Sequence, residues 1–498
     1  MKLLIKNLGP IKNNTQEIDL SKRFYVFVGV NNSGKTYISQ LLWTIFNRNI
    51  IKRFTDRLEE EEIKVKITQE FKINEGMVSD ILDKFSRFIE QEMIDIYNVA
   101  KNSLFAQKIS ISFDFDIHEL KGHSLVNGVF ELSFGNHENS SEYISLAKEV
   151  DSLILKIEEK PLPESILKSI PEKVLQNTKK DVELQVKKTA IFFIILMLLE
   201  NKHTTFFLPS NRSFYPVFYR YVYDIERKNR EEVIRKMVDL FEETKGDPSK
   251  TNIEELRKAG LFRRQYTEPM NRAIEAIYSL NTNPEEVSHY TNLVRRLAKI
   301  MGGDIFIKSL EGIAPIEFFF KPTQQEIDLP MYLASSSVNQ LSLLYLYLKH
   351  WVVEKSNFLM MDEPEENLHP ANQVLLLELL LDFVNQNDNR VLITTHSPLL
   401  ANVLNNYVYL DILKNEHNSD LDDIIEEHNL KYISSSTSIA RKDVGVYFFT
   451  GDRIVEYNSG HYSISFRDFQ EVTSAIDECA DVLTDYIYLK GREEDDDE

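Results

Sequence analysis

Five short apolar runs set the rhythm of this chain. Residues 3–5 (LLI) open a strand, and residues 24–28 (FYVFV) are apolar throughout, the pattern of a strand buried on both faces of a mixed sheet. Residues 29–35 then break into a loop, and 36–46 carry apolar positions at helical spacing. Residues 204–208 (TTFFL) predict another buried strand, ending at Pro209. Further on, a helix near 338–354, a strand over 357–361, a helix over 370–385 and a strand over 390–394 alternate. That is the βαβ rhythm of a parallel sheet. The expected fold class is α/β, a mixed β-sheet with flanking helices.

The pattern between these runs is different. Residues 48–107 read as charged helix, with an acidic run at 59–62 and an amphipathic stretch over 77–97. Residues 109–135 alternate polar and apolar, which predicts paired strands. Helix returns over 162–200, and 304–330 reads as strands. Residues 214–301 look helical and carry charges of both signs. Two antiparallel arms of about 40 residues would reach roughly 60 Å, a short arm and not a long rod. The last eight residues, 491–498, read as a solvated acidic tail.

Composition narrows the class. The 498 residues are 43% hydrophobic and 11% aromatic, enough for a sizeable core, which excludes wholesale disorder. The single cysteine, Cys479, excludes an internal disulfide framework and any cysteine-paired zinc site. It also points to a reducing, cytoplasmic setting. Lys+Arg 58 against Asp+Glu 78 leaves a net charge of −20, which disfavours general nucleic-acid binding. The longest apolar run, 190–199, is too short to cross a bilayer and reads as a core helix. Residues 1–7 lack the pattern of a signal peptide, so no membrane association is expected.

The chemistry sits at the ends of the apolar runs. Gly29-Val30-Asn31-Asn32-Ser33-Gly34-Lys35-Thr36 fits G-x-x-x-x-G-K-[ST] without exception, after a strand and at the start of a helix. Such a loop aims backbone N–H groups at a phosphate, and the helix dipole adds partial positive charge. Lys35 is placed for the β- and γ-phosphate oxygens and the Thr36 hydroxyl for Mg²⁺.

Residues 358–361 are apolar and end in Asp362 and Glu363. A buried strand has little reason to end in two acids unless they act. Asp362 fits an outer ligand of Mg²⁺ and its waters, and Glu363 a general base that orients the attacking water. A solvated strand end is the bland alternative, and the phosphate loop weighs against it. Residues 391–393 form another apolar run, ending in Thr394-Thr395-His396. His396 would lie on the carboxyl edge of the sheet, where open α/β folds bind ligands, placed to sense a γ-phosphate. A lone histidine is more often structural, but this one follows Glu363 by one helix and one strand.

With these three pieces the chain resembles the ABC-type ATPases of the SMC, RecF and OLD group, most of all the OLD-type, AAA-15-like branch. The likeness rests on Asn31-Asn32-Ser33, on the stretch from Asp362-Glu363-Pro364-Glu365-Glu366 through Asn367-Leu368-His369-Pro370, and on Thr395-His396-Ser397-Pro398. The resemblance implies ATP and Mg²⁺ as cofactors, Lys35 and Thr36 as the Walker A pair, and Asp362 and Glu363 as Walker B. It also implies a D-loop from Glu366 to His369 and His396 as the switch histidine. Catalysis would then fall to Glu363, His396 and Lys35. Nucleotide contacts would come from Gly29, Asn31, Asn32, Ser33, Gly34, Lys35 and Thr36, and metal contacts from Thr36 and Asp362. The signature motif would be Ser335, Ser336 and Ser337, which depart from the usual Leu-Ser-Gly-Gly pattern and would serve equally as a helix N-cap. Pro209-Ser210-Asn211-Arg212 resembles the Pro-x-x-Arg segment of the branch, with Arg212 facing either the nucleotide or a surface ion pair.

The resemblance divides the chain into ATPase head segments 1–47, 204–213 and 303–411. An inserted helical and β region fills 48–203 and a short helical arm 214–302. A C-terminal α/β extension spans 412–490, and the acidic tail 491–498 follows. It implies heads that close on ATP as a head-to-head homodimer or higher even oligomer. The output would be control of a separately encoded effector such as a Toprim or HNH nuclease in anti-phage defence, as in PARIS-type, Septu-type and retron-associated systems. A phage protein or DNA would be the trigger. Residues 412–498 are too short for a Toprim domain, and Asp420, Asp422 and Asp423 read as an acidic loop, so any nuclease is expected on another chain. Two other readings stay open. A RecF- or SMC-like DNA repair ATPase is disfavoured by the acidic balance, and a slowly hydrolysing ATP-bound scaffold by the intact Asp362-Glu363 pair. Arg257, Lys258, Arg263 and Arg264 cluster with Phe262 and Tyr266, and Arg295, Arg296 and Lys299 share a helical face. Their acidic neighbours favour a solvated face over a DNA contact.

Overall fold

The computed structural model describes residues 1–59, 70–99, 108–122, 125–133, 141–148, 151–160, 172–200, 204–217, 266–280, 288–308, 317–415, 420–457, 464, 466 and 471–484. Its strands are β1 (Lys2–Lys6), β2 (Glu17–Asp19), β3 (Phe24–Gly29), β4 (Glu70–Lys72), β5 (Ser110–Asp114), β6 (Leu125–Ser133), β7 (Ser141–Lys148), β8 (Ile154–Lys160), β9 (Thr204–Leu208), β10 (Gly303–Lys308), β11 (Glu317–Pro322), β12 (Leu329–Pro330), β13 (Asn357–Asp362), β14 (Arg390–Thr395), β15 (Val444–Phe449) and β16 (Ile454–Glu456). Its helices are α1 (Lys35–Phe46), α2 (Arg48–Arg57), α3 (Glu75–Ile96), α4 (Glu172–Leu198), α5 (Glu268–Tyr278), α6 (Thr291–Met301), α7 (Ser336–Leu346), α8 (Pro370–Asn385), α9 (Pro398–Asn415) and α10 (Leu421–Glu427).

The central sheet runs β16-β15-β3-β14-β13-β9. Every neighbouring pair is parallel except β15 and β16. Strands β3, β13 and β14 are buried along their whole length. Alternate residues therefore feed two separate cores. Tyr25, Phe27, Phe358, Met360 and Leu392 pack with residues of α1, α2, α3 and α4 on one face. Phe24, Val26, Val28, Leu359, Met361, Val391 and Ile393 pack with residues of α6, α7, α8 and α9 on the other. Each fully buried side chain of this size contributes roughly 1.5–3 kcal/mol. Asn47 ends α1, and its side chain accepts from the N–H groups of Asn49 (3.0 Å) and Ile50 (3.3 Å) to start α2.

The mixed α/β architecture expected from the sequence is present, with three differences. The alternating stretch 109–135 does not form one hairpin. β5 pairs with β1 and β6 with β7, in two different sheets. Within the expected extension, 412–490, strands β15 and β16 belong to the head, because β15 adds to the central sheet beside β3 and β16 extends it. The apolar run in β15 (VGVYFF) has the same buried character as β3. Third, Arg296 of α6 is not part of a free basic face, since it pairs with Glu378 at 2.7 Å and with Asp382 on α8.

Much of the expected arm, 218–265, lies outside the described residues, with Arg257, Lys258, Phe262, Arg263 and Arg264, and so does the acidic tail. The apolar run 190–199 falls in and just after α4, and most of it is buried. Among the described residues no helix is long and apolar enough to cross a membrane.

The register brings Gly29 against β15. A Cβ there would stand 2.3 Å from the Phe449 carbonyl oxygen, at a φ of 148°. Overpacking of this kind costs about 1–3 kcal/mol. Gly29→Ala is therefore expected to lower the urea midpoint measurably, and an unchanged midpoint would mean that β15 does not brace the loop.

Candidate active site

The parallel strands deliver their carboxyl ends to one edge, and the chemistry gathers there. After β3 the chain passes through Asn32 at φ 59° and Gly34 at φ 98° before α1 begins. Gly34 is the N-cap and offers no side-chain oxygen, so no side chain caps α1. That leaves a helix N-terminus suited to an anion. The Lys35 ammonium folds back and donates to the carbonyls of Gly29 and Val30, both at 3.0 Å. Burial pushes its pKa down to about 8, against the pull of Glu363, Asp362 and Glu365. The Ser33 hydroxyl is buried and has no hydrogen-bond partner among the described residues. Asn31, Asn32 and Thr36 are exposed.

Asp362 closes β13 almost fully buried. It accepts from Thr394 Oγ1 at 3.0 Å, and the Thr36 hydroxyl is near enough to favour its charged form. Burial pushes its carboxyl up to about 6, although both hydroxyls pull the other way. Thr36 and Asp362, the two expected metal residues, thus lie near each other, one at the start of α1 and one at the end of β13.

Glu363 has a left-handed backbone, φ 46°, unusual for a residue with a side chain. Its N–H donates to Thr394 O at 2.9 Å and Thr394 Oγ1 at 3.2 Å, which holds the kink. Glu363 Oε1 lies 3.6 Å from His396 Nε2, close but too long for a hydrogen bond. Burial and then Lys35 lower the His396 pKa, so the imidazole is neutral near pH 7.

Arg212 has a different occupation from either one expected of it. It is wholly buried. Its Nε donates to Gln340 O (2.9 Å), Nη1 to Pro209 O (3.1 Å) and Asp362 O (2.6 Å), and Nη2 to Glu363 O (3.0 Å) and Pro364 O (3.4 Å). A guanidinium has five N–H groups, so none is left for a phosphate. It supports the acidic loop from beneath. Burial pushes its pKa down to about 10, opposed by Glu366, Asp362, Glu365 and Glu363.

Ser335 caps α7 by accepting from Val338 N at 3.3 Å, and its hydroxyl meets that of Ser337 at 2.9 Å. Ser335 and Ser336 are exposed, and none of the three serines bonds to the phosphate loop among the described residues. The sequence reading missed three members of the site. Thr394 bridges Asp362 and Glu363. Glu365 accepts from Thr395 and His396. Gln340 donates to Ser210 O and Glu366 Oε2, both at 3.0 Å. The run of threonines closing an apolar strand was the one available signal.

Several features fit a nucleoside triphosphate with a divalent cation: the orphaned Ser33 hydroxyl, the uncapped start of α1, a lysine held in by carbonyls it could exchange for phosphate, and the Thr36–Asp362 pair. The model of the AAA ATPase domain family matches residues 1–401. No curated protein matches the chain. Among solved structures it is similar to an Smc head bound to the C-winged helix domain of ScpA, at 12% identity over 94% of this chain and 98% of that one, TM-score 0.33. It is also similar to an Smc head with an extended coiled coil bound to the C-terminal domain of ScpA, from Pyrococcus furiosus, at 14% identity over 95% and 98%, TM-score 0.33. An SMC head from Thermotoga maritima matches at 11% identity over 92% and 98%, TM-score 0.28. Overlaps this loose carry no weight for fold or function.

Lys35 gives a pH prediction. Its pKa of about 8 in the free protein rises when phosphate oxygens replace the carbonyls, so binding takes up a proton above that pH. ATP affinity is expected to be flat below about pH 8 and to fall up to about tenfold per unit above it. Lys35→Arg, charged throughout, should flatten the profile. Fluorescent-nucleotide titrations check this, and a wild-type Kd that does not move above pH 8 would overturn it.

Proposed function

The chain belongs to the AAA ATPase domain family, and on that footing we propose that it is an ATP-hydrolysing switch whose heads pair on ATP and control a separately encoded effector. The observation that carries the hydrolytic half is the acidic loop. Asp362 is bonded to Thr394 with Thr36 close by, while the left-handed backbone of Glu363 sets its carboxylate 3.6 Å from a neutral His396. Thr36 and Asp362 would hold Mg²⁺, which when bound neutralises charge on the phosphate oxygens. Lys35 and the α1 N-terminus bind and orient the phosphates, and Glu363 takes the proton of the attacking water. His396 Nε2 stands 3.6 Å from that carboxylate.

The pairing half is supported by the start of α7. Ser335 and Ser336 are exposed, and Tyr332 and Leu333 beside them are 68% and 61% exposed. Apolar exposure on that scale next to an exposed helix N-terminus suits a second head. A role in anti-phage defence, with a nuclease as effector, follows from the resemblance of the motifs. The bridged Arg296 and the net charge of −20 weigh against a DNA-repair reading.

Glu363→Gln is expected to bind ATP within a few-fold of wild type and hydrolyse it about 100-fold or more slowly. An unchanged rate would remove Glu363 as the base. Lys35→Ala should lose ATP binding, and retained affinity would sink the phosphate-loop assignment. Tagged Glu363→Gln, purified from cells carrying the native gene neighbourhood, should retain an effector enzyme in an ATP-dependent complex. Recovery of only repair proteins or chromosomal DNA would overturn the defence reading.

A further inference from the structure

Glu365 belongs to neither the metal pair nor the base, yet its carboxylate turns back from the β13–α8 loop onto the end of β14. One oxygen, Oε1, accepts twice, from Thr395 Oγ1 at 2.6 Å and from the backbone N–H of His396 at 2.9 Å. Thr395 Oγ1 in turn accepts from Ser397 N at 2.9 Å. The Ser397 hydroxyl meets Gln373 Oε1 of α8 at 3.0 Å. The turn carrying His396 is thus tied to the acidic loop through one carboxylate oxygen and to α8 through one serine. Glu365 Oε2 is buried and takes no hydrogen bond among the described residues. Burial raises the pKa of this carboxyl.

We propose that Glu365 is a positioning residue for hydrolysis: by fixing the backbone of His396 it sets the imidazole against the Glu363 carboxylate. This rests on the hydrolytic reading above and deepens it. The 3.6 Å spacing between His396 Nε2 and Glu363 Oε1 has no direct bond to maintain it. It is kept by the anchors of the two backbones: Thr394 on Glu363, and Glu365 on His396. Because both donors use a single oxygen, the anchor needs an acceptor at Oε1 and not a negative charge. A carboxamide oxygen can fill the same place, with its NH2 taking the position of the unbonded Oε2.

The test compares Glu365→Ala and Glu365→Gln in the full chain. Glu365→Ala is expected to lower kcat about tenfold or more while the Kd for ATP stays within about threefold. Glu365→Gln is expected to restore kcat to within about threefold of wild type. Hydrogen exchange of the 394–398 segment should quicken in Glu365→Ala and remain slow in Glu365→Gln. A Glu365→Ala enzyme with wild-type kcat, or a Glu365→Gln enzyme as slow as the alanine variant, overturns the proposal. The second result would make the charge, not the acceptor, the working feature. The exchange measurement is independent of turnover. If wild type does not hydrolyse ATP, the hydrolytic reading fails, whereas unchanged exchange in Glu365→Ala overturns the anchor itself.

Discussion

Parallel pairing of β3, β14 and β13 sets Val28 beside Thr395 and Asp362 beside Thr394, and every functional distance in this chain descends from that register. A sheet buried on both faces does not fix its own register by alternation, because a slip exchanges one apolar side chain for another. Polar pairs at the two ends do it instead. At the amino edge Asn389 Oδ1 accepts from the N–H and the Nδ2 of Asn357, both at 2.9 Å, and Asn389 Nδ2 reaches Tyr290 Oη at 2.8 Å. At the carboxyl edge Thr394 holds Asp362 and Glu363. A one-residue slip would leave these groups buried and unpaired, at about 1–3 kcal/mol each.

The second constraint is electrostatic. Asp362, Glu363, Glu365 and Glu366 crowd one loop, and two desolvated cations, Lys35 and Arg212, lie in their field. The cations divide the work. Arg212 is committed to backbone carbonyls, including those of Asp362 and Glu363, and so stabilises the left-handed kink that turns Glu363 outward. Among the described residues Lys35 makes two exchangeable bonds, to Gly29 O and Val30 O. Arg212 is thus fixed by geometry, while Lys35 can change partners when an anion arrives.

What could be read from the sequence follows from where chemistry meets periodicity. The phosphate loop, the acidic pair and His396 each terminate a continuous apolar run, so local pattern alone marked them. Arg212 could not be placed that way. Its carbonyl partners lie on Pro209, Gln340, Asp362, Glu363 and Pro364, mostly far away along the chain, and periodicity says nothing of which way a guanidinium turns. Local alternation pairs β5 with its neighbours in sequence, but β1, more than 100 residues earlier, takes its backbone groups. β15 carries no motif, so nothing in its sequence marked it as the strand that braces Gly29. Glu365 was one acid among several in a loop, and only the return of its carboxylate over β14 separates it from them.

These ties also limit how the site can move. The carbonyl of Gln340 on α7 is bonded to Arg212, and its side chain to Glu366. Arg212 in turn grips the carbonyls of Asp362, Glu363 and Pro364. The serines at the exposed start of α7 and the acids at the end of β13 are therefore mounted on one hydrogen-bonded frame. A shift of α7 along its axis cannot occur with the acidic loop at rest unless a buried guanidinium gives up at least one partner. A charged hydrogen bond of this kind is worth about 1.5–3 kcal/mol, several times thermal energy. The low-energy motion carries both together, so whatever presses on the α7 serines also acts on the backbone that aims Glu363.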